Sequence, residues 1–133
     1  RDAPDLATQL QVGSAGIEAK PQAVHPLVIE RLRDHRLDVS AHRQRKLDEQ
    51  LLNETSLCLA MGRDHQAFIW KSFARTVPLF NAEVYGRDEP VLDVWEAVPD
   101  WQTNKEAAAA YTVEVVDYLV AAMPSLLERI TSR

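Results

Sequence analysis

An α/β layer structure, in which helices flank a small parallel sheet, is predicted by three features of the sequence. Short apolar runs alternate with longer stretches whose apolar residues recur at helical spacing, in the order strand, helix, strand, helix, strand, helix. The run Thr55–Met61 (TSLCLAM) is continuously apolar between polar residues and Gly62, as a strand covered on both faces requires. With 133 residues, 46% of them hydrophobic, the chain can bury one core but not two, so residues 1–133 are expected to form a single domain.

Each element has a local reason. Leu10-Gln11-Val12 alternates and runs into Gly13-Ser14-Ala15-Gly16, a strand ending in a small-residue turn. Pro26 suits a first helical turn, and Leu27, Val28, Ile29 and Leu32 form one stripe, predicting a helix over 25–36. A basic link, Ala41-His42-Arg43-Gln44-Arg45-Lys46, leads into a short helix bearing Leu47, Leu51 and Leu52. After the strand at 55–61, Phe68, Ile69 and Phe73 predict a helix over 64–74. Thr76–Phe80 reads as a short strand, placed at a sheet edge because Pro78 has no amide to donate. Residues 81–103 are turn-rich and hold Tyr85, Trp95 and Trp101, too long a connection to be idle. Thr103 and Glu106 match a capping box opening a last helix that Pro124 should kink or end, with Leu126, Leu127 and Ile130 in a final turn.

Composition excludes several classes. A formal net charge of −5 gives no basic field for a phosphate backbone, so nucleic acid is not an expected partner. A single cysteine permits no internal disulfide and no metal site built from several thiolates, which suits a reducing cytoplasm. No apolar run approaches the roughly 20 residues needed to span a bilayer, so no membrane association is expected. The opening Arg1-Asp2-Ala3-Pro4-Asp5 has neither a signal-like apolar stretch nor an initiator Met, and is read as starting part-way through a longer gene product.

Cys58 and Arg63 first invite a nucleophile-and-clamp reading. Only four residues separate them, and Cys58 lies between Leu57 and Leu59 in the apolar run, where burial keeps a thiol protonated and inert. Cys58 is therefore expected to be core packing.

Four motifs occur in order: Val12-Gly13-Ser14-Ala15-Gly16-Ile17 after the first strand, Asp38-Val39-Ser40-Ala41-His42-Arg43-Gln44-Arg45 after the first helix, Leu57-Cys58-Leu59-Ala60-Met61, and Val98-Pro99-Asp100 before the last helix. Together they resemble the low molecular weight protein tyrosine phosphatases of bacterial type, over nearly the whole chain. The resemblance implies a three-layer phosphotyrosine phosphatase I-like fold. It also implies a catalytic loop, V-C-x-G-N-x-C-R-S-P, whose first cysteine attacks the phosphoryl group while the arginine and loop amides hold its oxygens. That loop is not in this sequence, so the nucleophile and the first, central strand of the sheet are expected before residue 1. The chain by itself is expected to be inactive.

Residue by residue, the resemblance makes Asp100 the general acid and then base, although Trp101 stands where the family has proline; Asp93 is the alternative acid. It makes Trp101, Trp95 and Tyr85 walls for an aromatic substrate, and Ser14 and His42 supports of the phosphate loop. No cofactor or metal is implied, and the expected partner is a phosphotyrosine protein or a small aryl phosphate. Exposed sheet edges would favour a homodimer. Two other readings stand beside this one: a non-catalytic pseudophosphatase that binds phosphotyrosine or a protein, and a thioredoxin-coupled arsenate reductase, for which one cysteine is too few.

Overall fold

The computed structural model describes residues 14–16, 25–39, 42 and 45–132. The strand expected at 10–12, Gly13, and Arg43 of the basic link lie outside the described residues. Among the described residues six helices follow in chain order: α1 Pro26–Asp34, α2 Glu49–Glu54, α3 Arg63–Phe73, α4 Phe80–Tyr85, α5 Val94–Ala97 and α6 Lys105–Thr131.

The helix ends show why they fall where they do. His25 caps α1, its Nδ1 accepting from the Leu27 amide at 3.1 Å, with Pro26 in the first turn. The far end closes two residues earlier than expected. Arg36 turns left-handed at φ 65°, and the Leu37 and Arg36 amides bond back to Leu32 and Arg33 at 2.9 and 2.8 Å. Asp48 caps α2 through the Leu51 amide at 2.8 Å. Gly86, at φ 68°, closes α4 in the left-handed conformation that glycine adopts without a Cβ penalty.

The expected sheet is represented among the described residues by two isolated parallel bridges, Gly16 with Lys46 and Ala60 with Leu79. In the second, the Ala60 amide donates to the Pro78 carbonyl at 2.9 Å and the Phe80 amide to the Ala60 carbonyl at 2.8 Å. Pro78 thus serves through its carbonyl. The strands expected at 55–61 and 76–80 shrink to this one pairing because Pro78 has no N–H and Phe80 already opens α4.

The segment through Ala60 nevertheless divides two cores with the two-residue period of an extended chain. Ala60 and Cys58 pack with Leu52, Ile69, Val77 and Leu79. Leu59 and Met61 pack with Phe80, Val84, Ala122 and Leu126. From Cys58 to Met61 each face of the run packs on one of these cores, although only Ala60 is fully buried and Thr55 and Ser56 are exposed.

Three expectations for the carboxyl-terminal half are corrected. Residues 81–103 contain α4 and α5 rather than turns alone. Asn104, not Thr103, caps α6: its side chain accepts from the Ala107 amide at 3.1 Å, while the Thr103 hydroxyl donates to the Asp100 carbonyl at 3.2 Å. Pro124 lies inside α6, which continues to Thr131 because Leu126 beyond it is tied to the second core. The missing amide at an exposed position is tolerated against that burial. By length and composition α6 is also apolar enough to cross a membrane, contrary to the reading of the sequence. In the fold, α1, α4 and α5 pack against it.

α1 is fixed to α6 by a compact polar clamp. Arg31 Nε and Nη2 donate to the two Asp117 oxygens, each at 2.8 Å, and His35 Nε2 lies 2.7 Å from Asp117 Oδ1. The two-pronged geometry matches a planar guanidinium to a carboxylate.

Candidate active site

The residues singled out by sequence fall in two places. Ser14 belongs to the small-residue segment that ends at Gly16 and His42 to the link before α2; Ser14 Oγ and His42 Nε2 are 3.4 Å apart. The link is held beside the turn by the Gly16–Lys46 bridge and by Arg45, whose Nε donates to the Ser14 carbonyl at 3.1 Å. Residues 28 apart in sequence are thereby brought together.

The second place is the segment between α4 and α6. Asp100 sits on the turn between α5 and α6, exposed, with its carbonyl accepting from the amides of Thr103 at 3.1 Å and Asn104 at 2.8 Å. Asn104 Nδ2 stands 3.4 Å from Asp100 Oδ2, so the residue that caps α6 also touches the carboxylate. Trp101 is exposed beside it, and Trp95 on α5 is 53% exposed. Large indoles left in solvent next to a carboxylate are available to cover an aromatic ligand. Tyr85 differs. At the end of α4 it packs on Tyr118, centroids 5.9 Å apart, beneath the Arg87 guanidinium at 5.0 Å, so its described contacts tie it to α6 rather than to the tryptophans.

Asp93 and Asp100 occupy unlike surroundings. Burial pushes the Asp93 carboxyl up, opposed by His65 and by the Trp95 side chain, and reinforced by Asp64 and Glu96. The Asp93 amide is itself taken by Glu96 Oε1 at 2.9 Å. Asp93 is thus engaged in holding α5, whereas the Asp100 carboxylate faces solvent.

Ligand atoms of Asp64, His65 and Asp93 all lie within 4.8 Å of one another. The Gly62 amide donates to His65 Nδ1 at 3.2 Å, which in the neutral ring leaves the proton on Nε2. As folded, the Nε2–H of His65 lies 3.9 Å from Asp64 Oδ2, and the ring offers no lone pair on that nitrogen.

Cys58 is half-buried, and burial pushes its thiol up. It lines an open groove with Leu52, Ser56, Arg75, Val77 and Pro78. Full burial on both sides is therefore not observed, but the chemical consequence, a thiol kept protonated, is the one expected.

Sequence reading missed Asn81 and the turn Met61–His65. Asn81 is 5% exposed; its Nδ2 donates to the Glu89 carbonyl at 3.0 Å and stands 3.4 Å from the Pro90 carbonyl, and its Oδ1 accepts from the Tyr118 hydroxyl. A polar residue amid Leu79, Phe80, Ala82 and Val84 was the available signal.

A family model for the low molecular weight phosphotyrosine protein phosphatases matches residues 3–131. The chain belongs to that family. Among solved structures, a YwlE mutant from Bacillus subtilis is similar, with a TM-score of 0.58 and 25% sequence identity over 86% of this chain and 81% of that one. A search of the curated proteins gives no match. Membership of the phosphatase family makes the fold class α/β, although the helices account for most of the regular structure described here.

Proposed function

We propose that the protein hydrolyses aryl phosphomonoesters, phosphotyrosine among them, through a cysteinyl-phosphate intermediate, with Asp100 as general acid and base. What supports this reading is the exposed Asp100 on the turn between α5 and α6, in a segment that also carries the exposed Trp95 and Trp101, in a chain matched to the family over 3–131. In the first step a thiolate attacks phosphorus and the P–O(aryl) bond breaks. The electron pair leaves on the phenolate oxygen, which takes the Asp100 proton. In the second, water attacks phosphorus, the S–P bond breaks, and the Asp100 carboxylate takes the water proton. The indoles cover the aryl ring. Ser14 and His42, 3.4 Å apart, brace the loop that receives the phosphate.

Cys58 is not that thiolate: its raised pKa opposes the charged form, and it lies on the core segment away from the carboxyl-terminal turn. The attacking cysteine is assigned to a part of the gene product outside these 133 residues, together with the central strand of a parallel sheet. The remaining expectations stand with this reading: one domain, a cytoplasmic setting, no nucleic acid and no membrane partner, and a homodimer where sheet edges stay open. The test is phosphate release from phenyl phosphate by the full gene product. Activity should be abolished by iodoacetate and unchanged in Cys58→Ser. Loss of activity in Cys58→Ser with a native fold would refute the assignment.

The competing reading is a pseudophosphatase that binds phosphotyrosine without turning it over. It predicts saturable binding of a phosphotyrosine peptide with no phosphate release by the full gene product.

A further inference from the structure

The segment that carries Asp100 is not held by α6 alone. Its beginning is stitched to the turn that joins the core segment to α3. The Val91 amide donates to the Met61 carbonyl at 2.7 Å. Arg63 Nη2 donates to the Asp88 carbonyl at 2.7 Å, with Nη1 3.3 Å from Asp88 Oδ1. His65, its Nδ1 fixed by the Gly62 amide at 3.2 Å, lies within 4.8 Å of the Asp93 carboxylate, near enough to act on its charge but without a hydrogen bond to it. Residues 61–65 are thereby bonded to residues 88–93 at two points, with His65 close to Asp93 beyond them. Beyond them lie only the single turn α5 and Val98-Pro99 before Asp100. The Tyr111 hydroxyl, donating to the Leu92 carbonyl at 2.5 Å, and Asn104 at Asp100 close the segment from the α6 side.

We propose that the turn Met61–His65 is the clamp that sets the height of the acid, with Arg63 and His65 as positioning residues that act through the 88–93 backbone and Asp93. The inference rests on Asp100 being the acid. Arg63 reaches mainly a main-chain carbonyl, so removing its side-chain partner should matter little: Asp88 is exposed, and such pairs are weak. Removing the guanidinium frees the backbone itself. An acid misplaced by an ångström loses much of its advantage, and only leaving groups that need a proton register the loss.

The experiment measures kcat/KM of the full gene product for phenyl phosphate and for 2,4-dinitrophenyl phosphate, whose phenolate departs without protonation. Asp100→Asn calibrates the assay, because it must slow phenyl phosphate far more than the dinitrophenyl ester. Arg63→Ala and His65→Ala are expected to lower the phenyl to dinitrophenyl ratio about tenfold or more with an unchanged dinitrophenyl rate, while Asp88→Ala leaves the ratio within about twofold. A parallel loss on both esters in Arg63→Ala and His65→Ala would mark a general structural effect and overturn the clamp, as would wild-type ratios in both. If Asp100→Asn itself fails to change the ratio, the acid assignment falls first, and the clamp with it.

Discussion

Asn81→Ala probes the internal support of the 86–91 segment. The amide is 5% exposed and does three things: it donates to the Glu89 carbonyl at 3.0 Å, reaches the Pro90 carbonyl at 3.4 Å, and accepts from the Tyr118 hydroxyl. A net hydrogen bond in a folded protein contributes about 1 kcal/mol, and a buried partner left unpaired adds a further desolvation cost. Counting the long Pro90 contact as partial, the three together contribute about 2–3 kcal/mol to stability. Relief is limited, since Glu89 is exposed and its carbonyl can reach water, and the Tyr118 oxygen still accepts from Arg87 Nη2 at 3.0 Å. Urea unfolding of the protein, followed by tryptophan fluorescence, should show Asn81→Ala less stable by about 2–3 kcal/mol and Tyr118→Phe by about 1 kcal/mol. The double variant should lose less than the sum, because the two share a bond. A loss below about 0.5 kcal/mol in Asn81→Ala would refute the claim that this amide holds the segment.

Other outcomes follow from the same structure. Leu79, 1% exposed in the first core, should cost about 2–5 kcal/mol when truncated to alanine, read by the same unfolding assay. Arg31 and His35 hold the Asp117 carboxyl well below its ordinary 3.8, so this group contributes stability above that value and loses it as pH falls through the lowered one. Asp117→Asn should lower Tm at neutral pH and flatten the fall in Tm on acidification below about pH 4; an unchanged acid limb would contradict the clamp between α1 and α6. Cys58, its thiol pushed up by burial, should react with iodoacetamide at neutral pH more slowly than free cysteine, and equal rates would sink that reading.

Where sequence reading succeeded, one residue type carried a strong local cause. Pro26 marked the first turn of α1, and the apolar stripe Leu27, Ile29, Leu32 marked its course. The unbroken run before Gly62 proved to divide two cores. Failures came where tertiary contacts decided. Pro124 reads as a kink or an end, and packing of Leu126 in the final turn carries α6 past it. Thr103 and Glu106 make a convincing box, yet the Thr103 hydroxyl goes to Asp100 and Asn104 takes the cap. For the candidate site, Ser14 lies 3.4 Å from His42, and Trp95, Trp101 and Asp100 are exposed. Tyr85 turned instead to Tyr118 and Arg87. The hold of Met61–His65 on 88–93 was illegible because its two 2.7 Å hydrogen bonds fall on main-chain carbonyls, which no residue type announces.

The central claim is that Asp100 delivers the proton to the departing phenolate. It is tested most directly by kcat/KM of the full gene product and its Asp100→Asn variant on phenyl phosphate. The account predicts a loss of about 10²–10⁴-fold with the fold intact, and a variant within about twofold of the wild type would contradict it.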